Sequence, residues 1–445
     1  MMKNTLSWAL LLGAGFLLFN ACEEVNPDYP QEADRAEFMH QSMKKLTDVI
    51  VHDIFSPPVA SRIYVYPSVA AYEVLRHDHP KHQSLSGQLN DLASPPAPVE
   101  GQEYCYPLAA LHAFLETGKT MLFSEHLIEE YQDSLYAEFQ AMRMPRAVYD
   151  RSLAYGAAVS QHILSWADRD LYKQTRTYPK YTIPADPAKW KPTPPDYMDG
   201  IEPAWSEIRL MVLDSASQFA PPPPTPFSTD ENSRFMEETR EVYRAVKDAR
   251  EEERAIAKFW DCNPYVSHHT GHVMYATKKI TPGGHWINIA RIAAEKADAD
   301  LMKTVETYAR VSISLFDGFI SCWDEKYRSS LVRPETVINT YIDESWLPIL
   351  QTPPFPEHTS GHSVISSAAA VALTELYGAD FAFEDTSEEE YGLPSRSYTS
   401  FFQASEEAAL SRLYGGIHYR PAIDLGVTQG RAVGKLVHER LRTGL

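Results

Sequence analysis

Lys326-Tyr327-Arg328-Ser329-Ser330-Leu331-Val332-Arg333-Pro334 sets two cations seven residues apart at what reads as the end of a helix. Seven residues are two helical turns, so both heads can face the same way. Pro334 discourages helix from running on through the arginine. Two cations aimed together repel unless an anion lies between them. Taken alone, the pair reads as a solvated basic helix end.

Two further clusters supply what an anion between those cations would need. Pro353-Pro354-Phe355-Pro356-Glu357-His358-Thr359-Ser360-Gly361-His362 is a stiff loop leading into a small-residue helix. Helix starts present unpaired backbone N–H groups that bind anions. Gly361 lets the backbone approach an oxyanion, Ser360 adds a hydroxyl, and His362 is a proton carrier beside it. Ser411-Arg412-Leu413-Tyr414-Gly415-Gly416-Ile417-His418 follows. Arg412 can fork onto two oxygens of a tetrahedral anion. The glycine pair should end a helix and could turn His418 inward. Singly, these read as a helix cap and a glycine turn. Together they make a cage for a phosphate-like anion with a nucleophile or ligand and an acid–base group.

Outward from the cage the pattern is helical almost throughout. Apolar spacings of three and four predict helices over 37–54, 108–123, 125–142 and 147–167. In the second half they predict helices over 231–247, 250–260, 287–297, 298–323, 362–377, 404–414 and 425–441. No convincing series of alternating strands occurs, so the class is mainly α: a helical bundle in the second half with an additional N-terminal helical half. Pro221-Pro222-Pro223-Pro224 is the sharpest punctuation, since polyproline cannot continue a helix. It reads as a linker over 221–229 between a helical region at 36–220 and a site-bearing helical domain at 230–445, or equally as a long surface loop.

The 445 residues carry a formal charge of -19, and 44% are hydrophobic. That composition suits a globular body with a sizeable core. The acidic surface repels nucleic acid and anionic lipid, so neither is an expected partner. Lys3, the apolar run from Leu6 to Phe19 and Ala21-Cys22 read as an export signal over 1–21. Leu18-Phe19-Asn20-Ala21-Cys22 resembles a bacterial lipobox, with Asn20 unusual in it. The expectation is a lipid on Cys22, a tether over 22–35, and an exported bacterial lipoprotein held to a membrane by that lipid alone. Cys105, Cys262 and Cys322 are too few for a disulfide framework, although one bridge is open to them.

The order Lys-x6-Arg-Pro, Ser-Gly-His, Ser-Arg-x5-His resembles the signature shared by vanadium haloperoxidases and type 2 phosphatidic acid phosphatases. Here it stands as Lys326/Arg333-Pro334, Ser360-Gly361-His362 and Ser411-Arg412/His418. In the peroxidase branch the resemblance implies vanadate as cofactor and hydrogen peroxide and halide as substrates. His418 would bind vanadium. Lys326, Arg333, Ser360, the Gly361 amide and Arg412 would hold its oxygens, and His362 would move protons. In the phosphatase branch His418 would instead attack phosphorus and His362 would protonate the leaving group.

Trp323 and Phe355 resemble residues that line the halide side of fungal chloroperoxidase-like sites; algal bromoperoxidases typically carry His at the position of Phe355. Thr281-Pro-Gly-Gly-His285-Trp286 resembles bacterial members, and the whole is most similar to bacterial vanadium iodoperoxidases. Iodide, the easiest usual halide to oxidise, is therefore the expected substrate, with bromide next. The alternatives are a soluble acid phosphatase and a helical glycan-binding surface lipoprotein.

One departure stands out. Many relatives carry Asp where this chain has Ala422. Asp424 is read either as its replacement, orienting His418, or as the cap of a helix from Leu425. Asp324, Asp261 and Tyr265 are candidate supporting groups. His268-His269-x-x-His272 has metal-ligand spacing with nothing else to support it. His285-Trp286 reads as structural or as a pocket wall.

Overall fold

The computed structural model describes the backbone of residues 25–270, 273–276 and 278–444, and the side chains of these apart from 268–277. The expected export signal and Cys22 lie outside the described residues. So do His272 and the side chains of His268 and His269.

The first half comprises α1 (Tyr29–Ala33), α2 (Ala36–His52), α3 (Pro57–Leu75), α4 (Tyr106–Lys119), α5 (Glu125–Ala141), α6 (Arg146–Ala167) and the single turn α7 (Tyr172–Thr175). After the polyproline run come α8 (Arg234–Lys247), α9 (Glu251–Phe259), α10 (Pro282–Lys296), α11 (Leu301–Ser329) and α12 (Pro334–Tyr341). The chain then forms α13 (Gly361–Tyr377), α14 (Phe401–Tyr414) and α15 (Arg420–Arg440). Two small antiparallel hairpins interrupt the helices: β1 (Ser267–Thr270) with β2 (Val273–Ala276), and β3 (Phe383–Asp385) with β4 (Arg396–Tyr398). Among the described residues, no helix is long and apolar enough to cross a membrane.

α3 is the longest helix that the periodicity misses; α1, α7 and α12, of eight residues or fewer, are missed as well. Every residue of α3 is buried, so it has no polar face to set against an apolar one. Pro57 and Pro58 sit in its first turn, where their missing N–H groups cost nothing, and Ser56 caps it by accepting from the Val59 amide. Residues on both sides of the polyproline run contribute to one large hydrophobic core. α3 packs on α11, and the buried Asp317 of α11 accepts hydrogen bonds from the amides of Met211, Val212 and Leu213.

The closest helix pair is α13 with α15, and glycine makes it so. A Cβ on Gly430 would stand 2.0 Å from the Val364 carbonyl oxygen, and one on Gly434 2.7 Å from that of Ala368. The backbones therefore touch, and α15 clamps the helix whose first turn enters the anion cage. Gly430→Ala is expected to destabilise the protein by about 1–3 kcal/mol, because backbone rather than a flexible side chain must yield. Chemical denaturation measures this; an unchanged midpoint would contradict the packing.

Candidate active site

α11 delivers Trp323 and Lys326 in its last turns. It stops at Ser329, and Ser330 takes a left-handed conformation (φ 51°) that turns the chain away. Arg333 is then the residue before α12, with extended backbone. The two cations of the opening stretch thus do not share a helix face, which corrects the two-turn reading. They converge because the chain reverses between them. The Lys326 ammonium and the Arg333 guanidinium each stand 5.0 Å from the centre of the Phe355 ring.

Both are buried and tightly held. Lys326 Nζ donates to the carbonyls of Pro356 (3.0 Å), Glu357 (3.1 Å) and Thr359 (2.6 Å), which uses all three ammonium protons. Burial lowers its pKa to about 7. Arg333 donates from Nε to the Phe355 carbonyl (2.9 Å) and from Nη1 to that of Ile417 (2.8 Å), and burial lowers its pKa to about 10. Its Nη2 is buried and has no partner among the described residues.

The Pro353–Ser360 loop ends in the start of α13. Ser360 caps it: its Oγ accepts from the Ser363 amide at 3.3 Å and keeps its own proton to give. The first bond of the helix runs from the Val364 amide to the Ser360 carbonyl, so the Gly361 and His362 amides precede the ladder. A Cβ on Gly361 would meet only the Trp323 ring, at 3.8 Å, so this turn stands clear of other backbone. His362 Nε2 is a second buried atom without a partner. Burial, and then the Arg412 charge, hold this imidazole's pKa well below the ordinary histidine value, so it is neutral.

α14 ends at Tyr414, and Gly416 adopts φ 79°, a conformation open to glycine at little cost. The turn sends His418 into the protein, 3% exposed. Arg412, in the last turn of α14, donates from Nε to Ser411 Oγ (2.9 Å) and from Nη2 to the Trp260 carbonyl (2.6 Å). Its Nη1 has no partner among the described residues, and burial lowers its pKa to about 10.

The hydrogen bonds of His418 fix its tautomer. Arg333 Nη1 stands 3.1 Å from Nε2, and a guanidinium N–H can only donate. Nε2 is therefore the lone-pair nitrogen. Nδ1 carries the hydrogen and gives it to Glu357 Oε1 at 2.8 Å, which also accepts from the Tyr419 amide at 2.9 Å. Burial, followed by the charges of Arg333, Lys326 and Arg412, keeps His418 neutral by pulling its pKa well down. Burial raises the pKa of Glu357 to about 7 against the pull of Arg333 and Lys326.

A narrow cleft opens over this arrangement. Trp323, Phe355, Gly361, His362, Arg412 and His418 line it, as do Asp261 and Tyr265. Lys326, Arg333 and Ser360 lie buried beside it. Trp323 and Phe355 pack with ring centres 5.0 Å apart, and the indole N–H is taken by the Ile201 carbonyl at 3.2 Å. This side of the cleft is an apolar wall.

Two sequence candidates fall elsewhere. Asp324 is half-buried and pairs with Arg328 (3.3 Å) rather than with any cage residue. Asp424 is exposed on α15, which begins at Arg420, so it neither orients His418 nor caps the helix. The orienting carboxylate is Glu357, which lies inside the quoted proline-rich loop but carries no spacing signal. Ala422 serves through its backbone, its carbonyl accepting the Ser360 N–H at 3.0 Å. The three described cysteines are free and buried.

The cage suits a tetrahedral oxyanion such as vanadate. Arg333 Nη2 is buried without a partner among the described residues, and the Ser360 hydroxyl and the first α13 amides are further donors. His418 Nε2 brings a lone pair, which in this structure accepts from Arg333 Nη1. Lys326 differs from expectation: with its protons committed to carbonyls, it supplies charge rather than a free N–H unless those bonds exchange.

That lysine gives the site a pH signature. Its folded pKa lies below the ordinary 10.5, so its burial cost is full below pH 7 and is relieved as pH rises from about 7. A bound oxyanion favours the charged ammonium, so binding above pH 7 takes up a proton. Affinity for tungstate, an oxyanion that does not itself titrate there, should fall by up to about tenfold per unit above pH 7. Glu357, also near 7, takes up a proton in the same sense, so Lys326→Met should make that slope shallower rather than flat in a calorimetric titration; equal slopes would contradict the assignment.

A family model described as the VCPO second helical-bundle domain matches residues 306–444. Among solved structures, the first bacterial vanadium-dependent iodoperoxidase is 51% identical, with a TM-score of 0.88 over 92% of this chain and 97% of that one. The holo and apo forms of a bacterial vanadium-dependent chloroperoxidase are each 16% identical, a likeness of fold alone. Their TM-scores are 0.65 and 0.63, over 87% and 86% of this chain and 93% and 94% of theirs. No curated protein matches the chain.

Proposed function

This chain belongs to the vanadium-dependent haloperoxidases, enzymes that use vanadate, and from that premise we propose that it oxidises iodide with hydrogen peroxide at a vanadate bound through His418. The observation that carries the proposal is the unprotonated Nε2 of His418 at the cleft, fixed as the lone-pair nitrogen by Glu357 on Nδ1 and met by the Arg333 guanidinium, which an anion bound at Nε2 would take over as its own donor. Vanadate, when bound, supplies a Lewis-acidic centre at which peroxide is activated toward halide. Arg333, Arg412, Ser360 and the Gly361 amide would hold its oxygens, and Lys326, 5.0 Å from the Phe355 ring centre, would offset their charge. His362, neutral and with Nε2 free, would serve as the proton carrier beside the bound group.

Trp323 and Phe355 favour a large, weakly hydrated halide. Their rings offer no free polar atom to replace a tight hydration shell, and iodide loses the least on leaving water. Bromide is the next candidate.

Orthovanadate-loaded protein should oxidise iodide in the presence of peroxide with a higher kcat/KM than bromide, and the apo form should hydrolyse p-nitrophenyl phosphate poorly. No halide oxidation would overturn the proposal. Efficient phosphate hydrolysis in its place would mean that His418 acts as a nucleophile.

Export as a lipoprotein, with the anchor on Cys22, is part of the same proposal. It is supported by Lys3, the apolar run to Phe19 and the lipobox-like residues before Cys22. Mass spectrometry of the mature N-terminus should find a diacylglyceryl-modified Cys22; an unprocessed Met1 would refute it.

A further inference from the structure

Beside the cleft, on the far side of Trp260, lies a second buried cluster that the haloperoxidase chemistry does not use. Cys262 follows α9, His285 is in the first turn of α10, and Glu388 follows β3. Their ligand atoms converge: Cys262 Sγ to His285 Nδ1 is 3.3 Å, His285 Nδ1 to Glu388 Oε1 is 3.3 Å, and Cys262 Sγ to Glu388 Oε1 is 3.9 Å. All three residues are buried.

We propose that Cys262, His285 and Glu388 form a binding site for a divalent transition-metal ion of zinc-like preference, separate from His418. A tetrahedral ion with bonds of about 2.3 Å to sulfur and about 2.0–2.1 Å to nitrogen and oxygen holds its ligands roughly 3.3–3.6 Å apart. The observed spacings bracket that range. The mixed thiolate, imidazole and carboxylate set suits zinc or cobalt(II) better than a hard cation.

The surroundings are those of a metal-ligating histidine. His285 Nε2 faces Asp385 Oδ2 at 2.8 Å, and Asp385 is itself held by the Ser387 amide at 3.0 Å. A carboxylate on the far nitrogen fixes the tautomer that leaves Nδ1 free to ligate. The Trp260 ring stacks on the imidazole, 4.5 Å centre to centre and tilted 19°. Without an ion, two buried carboxylates share one imidazole, an expensive arrangement that a divalent cation relieves. Cys262 also lines the cleft.

The site has a structural consequence. It ties α10 and the β3 turn to the segment at Trp260–Cys262, and the Trp260 carbonyl is the acceptor that holds Arg412 Nη2. An ion there would stiffen one wall of the anion cage from behind.

The test uses full-length mature protein without vanadate, so it does not depend on the peroxidase reading. After chelator treatment, cobalt(II) is added and the spectrum recorded. The expected result is one cobalt per chain, with a near-ultraviolet thiolate-to-metal charge-transfer band and visible bands of tetrahedral intensity, displaced by zinc. Cys262→Ser should abolish the charge-transfer band, and Glu388→Gln should weaken binding at least about tenfold. In unmutated protein, zinc should protect Cys262 from alkylation, as read by peptide mass spectrometry; this needs no variant to fold. Absence of the thiolate band, a band unchanged in Cys262→Ser, or alkylation of Cys262 indifferent to zinc would each overturn the proposal.

Discussion

His418→Ala is expected to lower peroxide-dependent iodide oxidation by about 10³-fold or more while the chain stays folded. The variant removes the lone pair on which the cofactor is proposed to sit, yet leaves Arg333, Arg412, Ser360 and the α13 amides in place. Oxyanion binding should therefore be weakened rather than lost, because charge-assisted donors persist. Folding should cost about 1–3 kcal/mol, since Glu357 keeps the Tyr419 amide and only the imidazole bonds disappear. Iodide assay, oxyanion titration and a melt on one preparation separate these effects. Retained oxidation would remove His418 from the site.

The second large effect is predicted at Glu357. Glu357→Ala takes the acceptor from both His418 Nδ1–H and the Tyr419 amide, stranding two buried donors. The imidazole is then free to rotate or to change tautomer, and vanadate affinity should fall about 10–100-fold. Glu357→Gln keeps an acceptor oxygen in the same place and should recover most of that loss. If Glu357→Gln were as damaged as Glu357→Ala, the carboxylate would matter for its charge rather than for holding the ring.

Much of this site was legible in sequence because its residues come in short runs whose local structure is forced. Ser360-Gly361-His362 had to be a helix start, and Gly415-Gly416 had to end one, so the inward turn of His418 followed. Convergence of Lys326 and Arg333 was foreseen, but its cause was not: the left-handed Ser330 breaks the helix, and no residue type there announces it.

The carboxylate behind His418 was sought near it in sequence, where Ala422 seemed a gap and Asp424 a substitute. It comes instead from Glu357, in a different loop, and only the packing of α13 against α15 and the turn after α14 brings the two together. The helical class was readable wherever a helix has a wet face. α3 was missed because it has none, and the two hairpins because three- and four-residue strands are too short for a period to register. Helix α15 begins at Arg420, five residues before the expected start, with Pro421 in its first turn where its missing N–H costs nothing.

His418 Nε2 is the proposed ligand to vanadium. X-ray absorption at the vanadium K-edge tests it directly, on protein loaded with one equivalent of orthovanadate. Wild-type protein should show an imidazole nitrogen in the first coordination sphere, with its characteristic outer-ring scattering, and His418→Ala should lose both. Identical spectra for the two proteins would contradict it.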